Sequence, residues 1–489
     1  MNEVRVLTPT GMLGAGFPPE TLTRGLELGA DVIAVDGGST DSGPYYLGAG
    51  IAKTAAAAVA RDMRMLLRAA SAAGIPLIIG SCGTSGTDSG VDWVAGITHG
   101  ILAEEGLDLK VATIYSEQRA DDLAARLDRI KPLPPAGPLD AATLESCRHI
   151  VGMMGHDPIV AALEAGADVV LAGRATDTAI AAAFPLMKGL PPGPVWHAAK
   201  IVECGGQCTT NPRAGGVLAT IDADGFTIEP LDPDNACTPT SVAAHMLYET
   251  VNPFTMREPA GTIDVSEAVY EALDTRRVRV SKSRFVPAGQ HTIKLEGARI
   301  TGYETMSFTA IRDPHILGQI DTWAALMRKM IGEWVSGTLG LDGSDYAFDL
   351  RLYGHDAILD GIEPDRRPPR EVGVMLLVRA ADQQTATAVA KVANPLMLHL
   401  PTPDMNYLPS LAFATSPAET ERGAVYEFAL HHAVDVDSPT SMFRLNLPPD
   451  ADSINPRSDA DATHRRPDAD ATHRRPDAVA INLPEDGDA

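Results

Sequence analysis

Three apolar runs in this chain each break into a Gly-rich turn carrying Thr-Asp: IAVDGGSTDSG at 33–43, LIIGSCGTSGTDSG at 77–90 and VVLAGRATDTA at 169–179. Their acids are Asp36, Asp41, Asp88 and Asp177, set among Ser39, Thr40, Ser42, Thr87, Ser89 and Thr176. Two carboxyls brought together in a partly dry cleft push one pKa upward and make an acid–base pair. Asp, Ser and Thr just ahead of a helix are also ordinary N-cap residues, so a capping role stands beside the catalytic one for each Asp singly. Taken as a set they point to a site. Asp41, Asp88 and Asp177 are its acid–base candidates, and Asp36, Ser39, Thr40, Ser42 and Thr176 its substrate-binding surroundings.

Arg174 sits between an apolar run and Thr176-Asp177, where a guanidinium can grip a substrate carboxylate bidentately or can pair with a nearby Asp and brace the loops. Gly11, Gly14 and Gly16 precede Pro18-Pro19-Glu20, a spacing that turns backbone N–H groups outward where a helix begins, so Gly14 and Gly16 are candidates to hold an anion. The order is not the G-x-G-x-x-G of dinucleotide binding.

Cys204 and Cys208 in IVECGGQCTTNP have no second pair at zinc spacing. Three roles stay open for these thiols: metal ligation, a reactive thiolate at Cys204 or Cys82 with His156 or His245 as base, and inert buried cysteine. Cys204 is carried forward as the fourth catalytic candidate. His245 and Glu249 have one-turn spacing, and Asp157 after His156 suits a helix start. No metal set and no cofactor is assigned. The chain has no Walker A sequence, G-x-S-x-G elbow, H-E-x-x-H pair or kinase signature.

The elements around these turns alternate. VRVLTPTG, DVIAV, IPLIIG, KVATIY and ADVVLAG have strand character, and helical patterns lie between them, among them KTAAAAVARDMRMLLRAASAAG and DPIVAALEAG. That order predicts an α/β fold with a mostly parallel sheet flanked by helices, whose loops at the strands' carboxyl ends meet in one crevice. From about Arg276 the texture changes to longer strands (RVRVSKSRF, TIKLEGARITGYETMSFTAI, DYAFDLRLYG, EVGVMLLVRA) with the helices IDTWAALMRKMIGEW and TATAVAKVANPLMLHL among them. A smaller α+β domain of split-βαβ type is expected there. The predicted division is 1–275, 276–450 and a disordered tail at 451–489. That tail repeats DADATHRRP verbatim at 459–467 and 468–476, and it is too polar to offset its own ordering entropy.

With 489 residues, 45% of them hydrophobic, the chain is long enough for a large core plus a second domain. A formal net charge of −24 argues against nucleic acid or an anionic membrane as partner, because both need clustered Lys and Arg. Five cysteines in so long a chain suggest reduced thiols. With neither a signal pattern nor an apolar run of spanning length, a cytoplasmic location is expected.

GAGF at 14–17, GADVVLAGRATDTA at 166–179, VECGGQ at 202–207 and TSVAAHMLYE at 240–249, in that order, resemble the acyclic terpene utilisation (AtuA-like) family over roughly residues 4–400. The resemblance implies a cytoplasmic catabolic protein working near acyl-CoA intermediates. GGSTDSGPYYLG and the Thr209-Thr210 after Cys208 depart from the family pattern, which implies a different specificity, and a ferredoxin-like module is implied from about Arg351. The expected activity is that of a lyase, of hydratase or dehydratase type, on a branched or unsaturated carboxylate or its acyl-CoA thioester. The alternatives are a cysteine-dependent thioester or amide hydrolase and a noncatalytic subunit of a catabolic complex. The expected partners are the small-molecule ligand and either further copies of the chain or a catabolic partner subunit.

Overall fold

A computed structural model describes residues 3–213, 215–359 and 369–448. The repeat-bearing tail lies outside the described residues. Strands β1 (Glu3–Thr8), β2 (Val32–Asp36), β3 (Leu77–Gly80) and β4 (Val111–Tyr115) come first in the chain. They are followed by β5 (Ile130–Pro132), β6 (Cys147–Met153), β7 (Val169–Ala172), β8 (Val217–Asp222) and β9 (Gly225–Pro230). A ten-stranded sheet runs in the order Val269–Ala272, Val278–Ser281, β9, β8, β1, β2, β3, β7, β4, Arg444–Asn446.

Only its centre is parallel. The ladders β1–β2, β2–β3, β3–β7 and β7–β4 are parallel, and the other five are antiparallel, so the mostly parallel sheet expected from the alternation is a mixed one. The physical reason is the length of the connections. Helical crossovers give the parallel pairs; the turns that join β8 to β9 and Val269–Ala272 to Val278–Ser281 are short and can only reverse the chain, and the remaining antiparallel ladders bring together strands distant in sequence. In the β8–β9 hairpin, Asp222 Oδ1 accepts the N–H groups of Asp224 at 2.9 Å and Gly225 at 3.1 Å.

Strand alternation fills two layers. Leu7, Ile33, Val35, Leu77 and Ile79 pack with Met63, Leu66 and Val94 on one side of the sheet. Val6, Val32, Ala34 and Ile78 pack with Ile159, Ile180 and Trp196 on the other. Side chains of period two on buried strands make both faces apolar.

The second sheet is organised by one long strand, His291–Ile311, which pairs antiparallel with β6 near its start and with Val372–Ala380 farther along, while Glu419–Val436 runs beside both portions. From residue 291 to 436, apart from the short helix Pro314–Leu317 and the two-residue strand Ala412–Phe413, the order is strand, helix Ile320–Leu339, strand Tyr346–Tyr353, strand Val372–Ala380, helix Gln383–His399, strand Glu419–Val436. The four strands lie in the sheet order second, third, first, fourth. That is the split-βαβ arrangement, and its first strand begins well before Arg351. Among the described residues, no helix is long and apolar enough to cross a membrane.

Candidate functional site

The turns that follow β2, β3 and β7 do meet at the carboxyl ends of the parallel strands. Packing there is close enough to demand glycine: a Cβ on Gly86, at φ +68°, would lie 2.1 Å from the Arg174 nitrogen. Ser116, after β4, ties the turns together by donating to the Gly86 carbonyl at 2.8 Å while its Oγ accepts the Arg174 N–H at 2.7 Å.

Arg174 is enclosed. Its Nε donates to Glu296 Oε2 at 2.9 Å, Nη1 to Ser81 Oγ at 3.3 Å and to the Ala175 carbonyl at 3.1 Å, and Nη2 to Thr40 Oγ1 at 3.5 Å. Asp177 Oδ1 stands 3.6 Å from Nη1. Glu296 also receives the Thr40 hydroxyl at 3.1 Å and Lys294 Nζ at 2.7 Å. Although burial works against ionisation, Arg174 and Lys294 hold the Glu296 carboxyl down at about 2. With its side chain only 5% exposed and committed to internal partners, Arg174 braces the loops instead of standing ready for a ligand carboxylate.

The turn after β2 divides by burial. Thr40 points inward, whereas Asp41 is exposed and its N–H is capped by Ser39 Oγ at 3.1 Å. Ser42 Oγ accepts Lys53 Nζ at 3.1 Å. Asp36 is buried where β2 ends; its Oδ1 has no hydrogen-bond partner, and burial followed by the Asp177 charge raises its pKa well above the carboxylate range. Asp177 opens the helix Asp177–Met187, capped by Thr176, whose Oγ1 accepts the Ala179 N–H. Burial raises the Asp177 pKa, Arg174 opposes that, and Asp41 adds to it, while the side chain stays 22% exposed.

Behind Asp177 lies a second group of charges, which the Thr-Asp pattern did not reveal. Lys200, in the last turn of the helix Pro192–Val202, hydrogen-bonds Glu203 Oε1. Burial pushes the Glu203 carboxyl up to about 8. Glu258 receives the Thr176 hydroxyl at 2.8 Å and the Thr178 hydroxyl at 2.6 Å, yet burial still lifts it to about 7. Burial and the neighbouring acids Glu203 and Asp177 push the Cys204 thiol far above its ordinary range, which works against a nucleophilic thiolate. Cys82 is wholly buried and pushed the same way.

Two predicted parts of the site stand elsewhere. Asp88 begins the helix Asp88–Glu105; its N–H donates to the Glu117 carboxylate and the Glu117 N–H to the Asp88 carboxylate, while Arg444 reaches Asp88 Oδ2 at 3.2 Å. Glu117 in turn holds His149 at 2.5 Å. Burial and Glu117 raise Asp88 to about 6, so it is a titrating group of a different cluster from Asp177. The Gly14 and Gly16 N–H groups do form an anion nest, but the anion in it is the protein's own: Asp62 Oδ2 takes them at 2.8 and 3.0 Å. A substrate-binding role for these glycines is corrected to a structural one.

A cleft of about 630 Å³ adjoins the Arg174 junction, lined by Thr40, Asp41, Lys294, Glu296, His431 and His432 together with residues 135–139. It brings Asp41 to solvent beside the buried carboxyls. Sequence reasoning missed Glu296, Lys200, Glu203, Glu258 and Ser116. The available signals were a single Glu inside the apolar–polar alternation of TIKLEG and a Lys-x-x-Glu pair closing an otherwise apolar helix.

Residues 51–433 match the family model described as acyclic terpene utilisation family protein AtuA. No curated protein and no solved structure matches the chain.

Proposed function

The chain belongs to the acyclic terpene utilisation family AtuA, and from that premise we propose that it is a cytoplasmic catabolic enzyme of hydro-lyase type, acting on a branched or unsaturated carboxylate or its acyl-CoA thioester. Such chemistry needs one group to take a proton from the carbon beside the carbonyl and another to carry a proton to or from the hydroxyl. Asp177 and Asp41 are the pair assigned here. The observation that carries the reading is the state of Asp177, a carboxyl raised by burial yet still open on one side and electrostatically linked to the cleft-lining Asp41.

Arg174 fixes the position of Asp177 from behind, and Lys294 at the cleft wall meets the anionic end of the ligand. The thiol of Cys204 takes no nucleophilic part, since it faces acids.

The test uses purified full-length protein and a panel of enoyl-CoA and 3-hydroxyacyl-CoA thioesters with their free acids, followed by water addition or loss and by solvent deuterium uptake. The expected result is turnover of at least one branched member, reduced about 100-fold or more in Asp177→Asn at unchanged circular dichroism. Equal turnover in that variant, or a folded protein that leaves every panel member unchanged, overturns the proposal.

A further inference from the structure

Glu203, Cys204 and His245 come together from two places in the chain: the first two leave the helix Pro192–Val202, and the third closes the helix Pro239–His245. One donor atom from each lies within 4.8 Å of the other two. In a tetrahedral site with bonds of about 2.0–2.3 Å the donors stand roughly 3.5 Å apart, so side-chain adjustments of about an ångström close the set.

The state of the imidazole is an independent observation. His245 is only 5% exposed, and its Nε2 has no hydrogen-bond partner. A buried ring nitrogen left in this way costs free energy unless something occupies it. The ring also bonds the Lys200 backbone carbonyl and stacks on Tyr248, with centroids 5.6 Å apart and planes at 16°. A metal-binding histidine is held in the same manner, one nitrogen donating to a carbonyl and the other left as the ligand.

The charges around the group favour a cation. Asp177, Glu258 and Glu249 act on Glu203 or Cys204, with the Lys200 ammonium opposing them. Lys200 engages Oε1 of Glu203, and a carboxylate has a second oxygen to offer. We propose that Glu203, Cys204 and His245 form a three-ligand site for a divalent metal ion of the zinc class, with the fourth position open toward Asp177. Mixed oxygen, sulfur and nitrogen donors select a borderline ion over calcium or magnesium, and three protein ligands leave the vacancy that catalytic zinc sites keep. Binding releases to solvent the thiol proton and any proton on the Glu203 carboxyl as the metal–sulfur and metal–oxygen bonds form.

This inference does not rest on the hydro-lyase reading, because binding is read without turnover. The probe is Co²⁺ added to chelator-treated full-length protein, followed by calorimetry and absorption spectroscopy. One ion per chain with a thiolate-to-cobalt charge-transfer band is expected. Cys204→Ser should abolish the band, and His245→Gln should weaken binding at least tenfold. The histidines of the terminal repeats cannot produce that band, since no cysteine lies among them. Absence of binding, binding without the band, or a band that survives in folded Cys204→Ser overturns the proposal. If Cys204→Ser does not fold, iodoacetamide mapping of the wild type decides: Co²⁺ should shield the Cys204 peptide, and equal labelling with and without the ion overturns the site.

Discussion

The Arg174 junction and the Lys200 corner both bury charge beside Asp177, and they do it in opposite ways. At the junction the guanidinium bonds Glu296, Ser81 and Thr40, the Glu296 carboxylate also receives Thr40 and Lys294, and Glu296 is held ionised. At the corner, Glu203 and Glu258 are raised to about 8 and 7, and His245 keeps an unpartnered nitrogen. Asp36, placed between the two, has an unpartnered oxygen as well. A satisfied network rigidifies the loops that cross it. Carboxyls that burial lifts even though they are hydrogen-bonded, and the unpartnered Asp36 oxygen and His245 nitrogen, are carried at a cost in stability, and such costs gather where a protein must meet a ligand. The contrast therefore divides scaffold from site more sharply than residue type does.

Breaking the satisfied side should have the largest effect. Arg174→Met leaves Glu296 buried without its main partner and should cost about 3–5 kcal/mol in chemical denaturation at neutral pH. The pH dependence follows from the sign of the shift. Glu296 is depressed from 4.5 to about 2, so its contribution is present above the unfolded value and fades as pH falls toward 2. Arg174→Met should flatten that acid limb, and an unchanged limb would mean that the pair contributes nothing.

On the frustrated side the sign reverses. Glu258 is raised from 4.5 to about 7, so its contribution is present below the unfolded value and lost as pH climbs through 7. Removing the charge in Glu258→Gln should make the protein more stable than wild type at pH 9 and close to it at pH 4, with a difference of up to about 3 kcal/mol. Denaturation midpoints across that range check it.

The parallel centre of the sheet was legible because β2, β3 and β7 are short, nearly wholly apolar runs ending in Gly-rich turns, a pattern that fixes both element type and which end carries the loops. The antiparallel flanks were not, since the pairing of β8 with β1 depends on register between strands more than 200 residues apart, which no local pattern encodes. The same limit governed the site. Asp36, Asp41 and Asp177 were found because their turns are alike. Glu296 was not, because it lies 122 residues from Arg174 within a strand whose alternation reads as ordinary sheet. Asp88 shared the pattern yet belongs to the Glu117 and His149 cluster, and Gly14 with Gly16 announced an anion nest without announcing that Asp62, 48 residues on, would fill it.

The central claim, that buried carboxyls held ionised mark the scaffold and those raised by burial mark the site, is tested most directly by denaturing two amide variants side by side at pH 8. Glu296→Gln should lose about 3 kcal/mol as the buried Arg174 guanidinium loses its main counter-charge, whereas Asp36→Asn should stay within about 1 kcal/mol of wild type or exceed it, because burial already works against the charged carboxyl and its Oδ1 has no hydrogen-bond partner. Equal losses in the two variants would contradict the account.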